Sequence, residues 1–166
     1  MSRDAARLTR SLESTASDLL AYLHRRVGAD DAPDLLGETM VVAWRRVSEL
    51  PDDEVRARMW LFGIARGTLQ NHARGARRRW ALADRIRVHT GDDLTTPAAD
   101  SGAEVRDAIS RLSPDDAEIV RLVHWDGFSL ADAASILGIP ASTVRGRYQR
   151  AKAELRVALS MEAPLA

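Results

Sequence analysis

The stretch SLADAASILGIPASTVRGRYQRAKAELR, residues Ser129–Arg156, predicts two short helices joined by a tight turn. Ser129 and Asp132 form a capping-box pattern at the start of the first helix. The apolar residues of that helix recur at helical spacing: Leu130, Ala133, Ala134 and Leu137. Gly138 can take the positive φ that a helix end requires, and Pro140 suits the first turn of the next helix. This layout is typical of a helix-turn-helix, whose second helix enters the DNA major groove.

The second helix of this stretch has the composition of a DNA-reading helix. Its basic residues are Arg145, Arg147, Arg150, Lys152 and Arg156. Apolar residues at helical spacing predict its inward face: Val144, Ala151 and Leu155. Arg145, Gln149 and Arg150 can then face outward, where arginine pairs with guanine and glutamine with adenine. The alternative is an amphipathic surface helix with solvated arginines, but the turn and the cationic helix occur together and favour DNA binding.

Composition and length limit the class of protein. The 166 residues allow one ordinary domain or two small ones, and the apolar content of 45% is enough for a core. The absence of cysteine excludes disulfides and a cysteine-built zinc site. No run approaches the roughly 18 apolar residues of a membrane span. The N-terminus lacks the apolar segment of a signal peptide, so we expect a cytoplasmic protein without a membrane span.

The distribution of charge says more than its sum. The formal net charge is zero, yet basic residues concentrate in Arg74–Arg79 and Arg145–Arg156. Local patches of this kind govern contact with nucleic acid. An approximately neutral protein should bind free DNA weakly, because its acids repel the phosphates. The balance therefore points to a partner that helps to deliver the protein to DNA.

Helical periodicity runs through most of the chain, and strand-like alternation is scarce. Helices are expected over 18–27 and 32–50, and a further one begins with the acids that follow Pro51. In the helix over 32–50, the residues expected in the core are Leu36, Met40, Val47 and either Val41 or Trp44.

Residues 84–103 break this pattern, because they are rich in Gly, Pro, Thr and Asp and read as a flexible linker. A new helix begins at Ser113-Pro114-Asp115-Asp116, which carries a strong capping signal. We therefore expect an all-α fold of two small helical domains, 1–83 and 104–166, joined by the linker, with the helix-turn-helix in the second domain.

The C-terminal half resembles the corresponding domain of bacterial RNA polymerase sigma factors of the extracytoplasmic-function (ECF) group. The similarity begins at Leu112-Ser113-Pro114 and continues through the step Gly127-Phe128-Ser129. It ends in the segment Thr143–Ala151, which follows the family pattern Thr-Val-Lys/Arg-x-Arg-x-x-Arg-Ala. Gly146 departs from that pattern, since a small polar residue is common at this position.

The N-terminal half is similar to the same family on separate motifs. Residues 34–44 look like its Asp-Leu-Val-Gln-Glu…Ala-Trp helix, and residues 60–66 look like its Trp-Leu-x-x-Ile-Ala-Arg motif, followed by the expected arginine cluster. Two glycines depart from the family: Gly37 replaces a glutamine, and Gly67 stands where asparagine is frequent. Glycine within a helix costs roughly 1 kcal/mol relative to alanine.

The resemblance implies a transcription initiation factor that binds core RNA polymerase and promoter DNA. The residues implied to read the upstream (−35) element are Ser142, Thr143, Arg145, Arg147, Gln149 and Arg150. For Arg147, a phosphate contact and an ion pair within the domain are both open. The residues implied to engage the downstream (−10) element are Arg66, Asn71, His72, Arg74, Arg77, Arg78 and Arg79. Trp80 could stack on a base there or cap the core of its domain.

Asp34, Glu38 and Val41 are the implied contacts with the clamp helices of the largest polymerase subunit. The alternative for this helix is a purely structural role in the core. An anti-sigma factor is a further candidate partner, because ECF members are commonly held inactive by one.

No catalytic constellation, phosphate loop or metal-ligand spacing emerges from the sequence. We therefore expect a protein that is not an enzyme and has no cofactor, metal or small-molecule substrate. Two alternatives remain. One is a self-contained helix-turn-helix regulator, which leaves the N-terminal motifs unexplained. The other is a sigma-like protein that binds DNA or polymerase without initiating transcription.

Overall fold

The computed structural model describes residues 3–86 and 102–161, with side chains for 3–79, 81 and 102–160. The chain divides into two compact units, within residues 1–90 and 91–166. Both units are helical, and the two described ranges contain no strand. The expected all-α fold is therefore confirmed. Helix α2 runs on to Ile86 and helix α3 begins at Ala103. Most of the predicted linker, 84–103, lies outside the described residues.

The first unit consists of two long helices and a short connection. Helix α1 covers Arg3–Arg45, a 3₁₀ helix covers Val47–Glu49, and helix α2 covers Glu54–Ile86. The sequence predicts separate helices over 18–27 and 32–50, and α1 accordingly consists of two helical segments that meet at a kink at Gly28, whose φ is 85° and ψ 177°. Only glycine adopts such a backbone conformation readily.

Helices α1 and α2 pack together through an apolar seam. The rings of Tyr22 and Phe62 meet edge to face, with their centroids 5.2 Å apart and an interplanar angle of 84°. Both side chains are buried, and buried leucines of both helices extend the seam: Leu8, Leu12, Leu19, Leu23, Leu35 and Leu61. This packing gives the first unit its core, because neither long helix could bury its apolar residues alone.

The predicted core of the helix over 32–50 is wrong at Val41 and Trp44. Both side chains are exposed, at 48% and 42%, whereas Leu35, Thr39 and Ala43 are buried. Small side chains form this seam: the Oγ1 atoms of Thr39 and Thr68 lie 3.5 Å apart, and the Thr39 hydroxyl also donates to the carbonyl of Leu35 at 2.7 Å. Because large apolar residues occur on both sides of this helix, their size alone did not reveal which side faces α2.

The second unit contains four helices. They are α3 (Ala103–Arg111), α4 (Pro114–His124), α5 (Leu130–Leu137) and α6 (Ala141–Met161). Helix α6 packs against each of the other three. The buried cluster at its centre consists of Ile109, Leu112, Ala117, Val120 and Ala151, with Trp125 and Leu155 packed against it. The last helix therefore supplies much of the surface on which the unit assembles.

The helix-turn-helix over α5 and α6 follows the sequence prediction closely. The Ser129 hydroxyl accepts from the Asp132 backbone N–H at 3.0 Å, and the Asp132 carboxylate accepts from the Ser129 N–H at 3.2 Å. Gly138 ends α5 in the left-handed region, with φ 67° and ψ 31°. Pro140 lies immediately before α6, and its carbonyl accepts from the Val144 N–H at 3.1 Å. The capping box and the turn are both confirmed.

The capping of α4 is confirmed as well. Ser113 is its N-cap residue, and the Ser113 hydroxyl accepts from the backbone N–H of Asp116 at 3.2 Å. Pro114 occupies the first helical position, where its missing N–H removes no hydrogen bond. The two acids of the first turn, Asp115 and Asp116, lie at the positive end of the helix dipole.

We expect Gly138→Ala to lower the free energy of unfolding by about 1–2 kcal/mol, because a Cβ is disfavoured in the left-handed region. The control is Gly146→Ala in α6, where an added Cβ would meet no atom within 4 Å. That change should raise stability by up to about 1 kcal/mol through helix propensity. Urea unfolding followed by circular dichroism measures both effects. A Gly138→Ala variant as stable as the parent would contradict the role given to this glycine.

Candidate nucleic-acid interface

The first half of α6 presents an exposed polar face. Ser142, Arg145 and Gln149 are exposed and lie three and four positions apart, so they share one side of the helix. Val144 and Ala151 are completely buried and fix the rotation of α6. Across the described parts of the chain, no side-chain hydrogen bond or ion pair engages Arg145 or Gln149. The donors of both side chains are therefore available to an external acceptor. Thr143 is exposed beside them.

Arg147 and Arg150 differ from Arg145, because both are paired within the unit. The Arg147 guanidinium lies 2.7 Å from Asp115. Arg150 makes three contacts with the Asp116 carboxylate, at 2.9, 3.0 and 3.1 Å. Both acids belong to the first turn of α4, so these pairs join the start of α4 to α6. Arg147 is thus an ion-pair partner within its unit.

A third link joins the other end of α4 to the same helix. The Tyr148 hydroxyl lies 2.9 Å from Nε2 of His124, and their rings stack with centroids 5.9 Å apart. Lys152 covers the Tyr148 ring at 5.5 Å, a distance that allows a cation–π interaction. These contacts hold α6 along the length of α4 and leave its Ser142–Arg145–Gln149 side open.

The last described turns of α2 carry an exposed arginine cluster: Arg74, Arg77, Arg78 and Arg79. Arg74 donates to the side-chain oxygen of Asn71, which is exposed, and Nε of Arg77 donates to the carbonyl of Ala73 at 3.4 Å. Asn71, Arg74 and Arg78 lie at spacings of three and four and share one side of the helix. Four cations within six residues give this end of α2 a positive field that attracts phosphates.

Two of the predicted downstream residues are less accessible than this cluster. His72 is half-buried, and its Nε2 lies 3.5 Å from the carboxylate of Asp31 in α1. Arg66, six residues earlier on α2, is also half-buried. The side chain of Trp80 lies outside the described residues. The most exposed of the predicted downstream residues are therefore Asn71 and the four arginines.

The side of α1 that faces away from α2 carries acids and large apolar side chains together. Asp34 and Glu38 are exposed, and Val41 and Trp44 continue the same side toward the end of the helix. Sequence reasoning named the first three and missed Trp44 as a surface residue. Leu35, Thr39 and Ala43 recur every four residues and so mark the buried side of the helix. This spacing is the signal that could have shown that Trp44 lies on the exposed side.

Arg46 and Glu49 form an ion pair beyond this face. Arg46 donates to the two carboxylate oxygens of Glu49 at 3.0 and 2.6 Å. These hydrogen bonds lower the pKa of Glu49 and raise the pKa of Arg46. The pair links the residue that follows α1 to the last residue of the 3₁₀ helix, within the connection between α1 and α2.

Over residues 3–86 and 102–161, no group of three or more histidines and acids is placed to hold a metal ion. Within the same ranges, no helix is sufficiently long and apolar to cross a membrane.

Both halves of the chain are similar in sequence to known proteins. The family model for Sigma-70 region 2 matches residues 12–79, and that for Sigma-70, region 4 matches residues 102–155. The ECF RNA polymerase sigma factor SigL of Mycobacterium tuberculosis is 29% identical over 160 residues, covering 94% of this chain and 90% of SigL. The ECF RNA polymerase sigma factor EcfG of Rhodopseudomonas palustris is 32% identical over 136 residues, covering 81% of this chain and 74% of EcfG.

A solved structure shares the fold. The sigma factor RpoE from Bartonella quintana, in complex with the anti-sigma factor NepR, matches with a TM-score of 0.61 and 24% identity, covering 95% of this chain and 97% of RpoE. The two family models follow each other along this chain in separate units, and the relatives match across most of its length. The chain therefore belongs to the ECF RNA polymerase sigma factors, the transcription initiation factors that direct RNA polymerase to promoters.

Proposed function

We propose that the protein holds a promoter at two points while it is bound to core RNA polymerase. Residues 1–83 would contact the polymerase and the −10 element, and residues 104–166 would contact the −35 element. The segment 84–103 would tether the two. Two weak contacts on one chain reinforce each other, because the first raises the effective concentration for the second.

The upstream contact is assigned to α6. The observation that supports it most strongly is the exposure of Arg145 and Gln149 without a partner in the described chain, on a helix whose rotation is fixed by buried Val144 and Ala151. Arginine and glutamine are suited to guanine and adenine edges in the major groove. Ser142 and Thr143 would contact the backbone or bases beside them, and Arg147 and Arg150 would lie at the edge of the same contact.

The downstream contact is assigned to the end of α2. The exposed arginines, Arg74 and Arg77–Arg79, would neutralise phosphates, and Asn71 would hydrogen-bond an unstacked base. Binding of a separated strand needs such a positive surface together with groups that accept bases. Arg66 and His72, which are less exposed, would line the inner side of this surface.

The polymerase contact is assigned to the outer side of α1. Val41 and Trp44 supply apolar area, and Asp34 and Glu38 supply charge around it. An apolar centre with a polar rim is the usual composition of a protein interface. The clamp helices of the largest polymerase subunit are the proposed partner.

Further properties follow from this role. The sigma factor family is not enzymatic, and we propose that this chain catalyses no reaction itself, with the polymerase performing the chemistry in the cytoplasm. RpoE of Bartonella quintana is bound to the anti-sigma factor NepR in its solved structure, which supports proposing an anti-sigma partner for this chain as well.

In vitro transcription tests the proposal. The full chain is added to core RNA polymerase with a promoter library, and transcript starts are mapped. We expect starts that require the chain and that share sequence at both elements. Specific DNA binding without polymerase would instead indicate a self-contained regulator. Polymerase binding without transcripts would indicate a sigma-like protein that does not initiate.

The same assay tests upstream reading. We expect Arg145→Ala to reduce discrimination at one upstream base by roughly 1–3 kcal/mol, the usual worth of a bidentate pair. The control is Arg156→Ala, which removes the same charge from an exposed position farther along α6. It should leave the base preference intact. An equal loss of transcription on every sequence in the Arg145→Ala variant would reassign Arg145 to phosphate contact.

Polymerase binding tests the outer side of α1. We expect Val41→Asp to weaken binding to core polymerase by about tenfold or more, because it places a charge in the centre of an apolar contact. The matched control is Val55→Asp, since Val55 is also exposed in the first unit but lies at the start of α2. Circular dichroism should show both variants folded. Equal binding by the two variants would contradict the assignment.

A further inference from the structure

Asp116 is an acid buried in the second unit. Its side chain is 3% exposed, and it stands in the first turn of α4, where its backbone N–H donates to the Ser113 hydroxyl. A carboxylate that is removed from water is costly unless charge and hydrogen bonds compensate it. The cation that pairs with Asp116 is therefore more tightly constrained in position than the partner of a surface acid.

Arg150 of α6 supplies that compensation along one edge of its guanidinium. Nε donates to Oδ2 at 3.1 Å, and Nη2 lies 3.0 Å from Oδ1 and 2.9 Å from Oδ2. Nη1 takes no part in these contacts, and 58% of the Arg150 side chain remains exposed. One edge of the guanidinium is thus fixed by a buried acid, while the side chain stays accessible from outside.

The neighbouring pair lacks this constraint. Asp115 holds Arg147 at 2.7 Å, but the Asp115 side chain is 62% exposed. Exposed ion pairs contribute little, because water screens them and both side chains remain mobile. The Asp115–Arg147 and Asp116–Arg150 pairs both join α4 to α6 and involve adjacent acids. They differ mainly in the burial of the acid.

Fixing Arg150 has a consequence for how α6 meets DNA. A free arginine loses much rotamer freedom when it binds a base, and a side chain held in advance avoids that loss. The link also ties α6 to α4 at a position next to Gln149. Asp116 therefore sets the direction of an exposed cation and the seating of the helix that carries it.

We propose that Asp116 is a positioning residue for promoter reading: it holds Arg150, and through it the exposed side of α6, in the arrangement that discriminates upstream bases. Asp116 itself does not touch DNA. The inference rests on the proposed function, in which α6 reads the −35 element.

The test uses the full chain with core RNA polymerase on a library of upstream-element variants. Asp116→Asn keeps the size of the side chain and removes its charge. We expect discrimination at one or two upstream positions to fall about tenfold, within the range of a good base contact. Asp115→Asn is the matched control and should leave every preference unchanged. In an Arg150→Ala background, Asp116→Asn should have no further effect on preference.

The outcomes separate the inference from the function on which it rests. If the parent chain shows no upstream preference, the proposed function fails. If the parent shows one and Asp116→Asn retains it, the inference is overturned. If Asp116→Asn lowers transcription equally on all sequences and also lowers the urea midpoint of unfolding, Asp116 has a purely structural role. That result would also overturn the inference. If circular dichroism shows that Asp116→Asn is unfolded, Asp116→Glu replaces it in the test, because it keeps the charge but displaces it. That variant must show the same loss of discrimination at the same upstream positions.

Discussion

The burial of Val144 and Ala151 is the constraint on which the second unit depends. Both side chains are completely buried, and α6 packs against α3, α4 and α5 at once. Because α6 packs against three neighbouring helices, its rotation about its own axis is fixed by the core. The same rotation determines which of its side chains are exposed. The exposed positions of α6 are consequently those that the core does not use. If this side of α6 binds DNA as proposed, its fixed rotation would lower the cost of ordering it on binding.

The first unit applies the same logic with different side chains. Near the end of α1, the buried positions are taken by small side chains, Thr39 and Ala43, and Thr39 lies against Thr68 of α2. Val41 and Trp44 lie on the outer surface of the same segment. Isolated apolar residues on a surface need no explanation, but two large ones beside acids on one side of a helix are typical of an interface. The end of α1 thus presents large apolar side chains on its outer side, opposite its small buried ones.

Helix caps and the turn were predicted well from the sequence because each depends on contacts between neighbouring residues. The caps at Ser113 and Ser129 and the left-handed Gly138 each involve a few consecutive residues, and their structures follow directly. The side of α1 that faces α2 was predicted wrongly at Val41 and Trp44, since periodicity gives spacing but not the identity of the partner helix. The ion pairs of Arg147 and Arg150 bridge 32 and 34 positions, and no sequence pattern marks them. The roles of the site residues stay predictions, and the structure adds which of their side chains are exposed and which are paired.

Under the proposed function, the two acids at the start of α4 would also affect how the protein binds DNA outside its promoter site. DNA binding releases a counterion for each phosphate that a cation neutralises, and this release supplies most of the affinity for random sequence. Arg147 and Arg150 already face Asp115 and Asp116, so they have less charge to offer to passing phosphates. If α6 contacts DNA as proposed, a helix with part of its charge balanced internally would bind random DNA more weakly. A sigma factor that dissociates sooner from random DNA would be available sooner to bind core RNA polymerase.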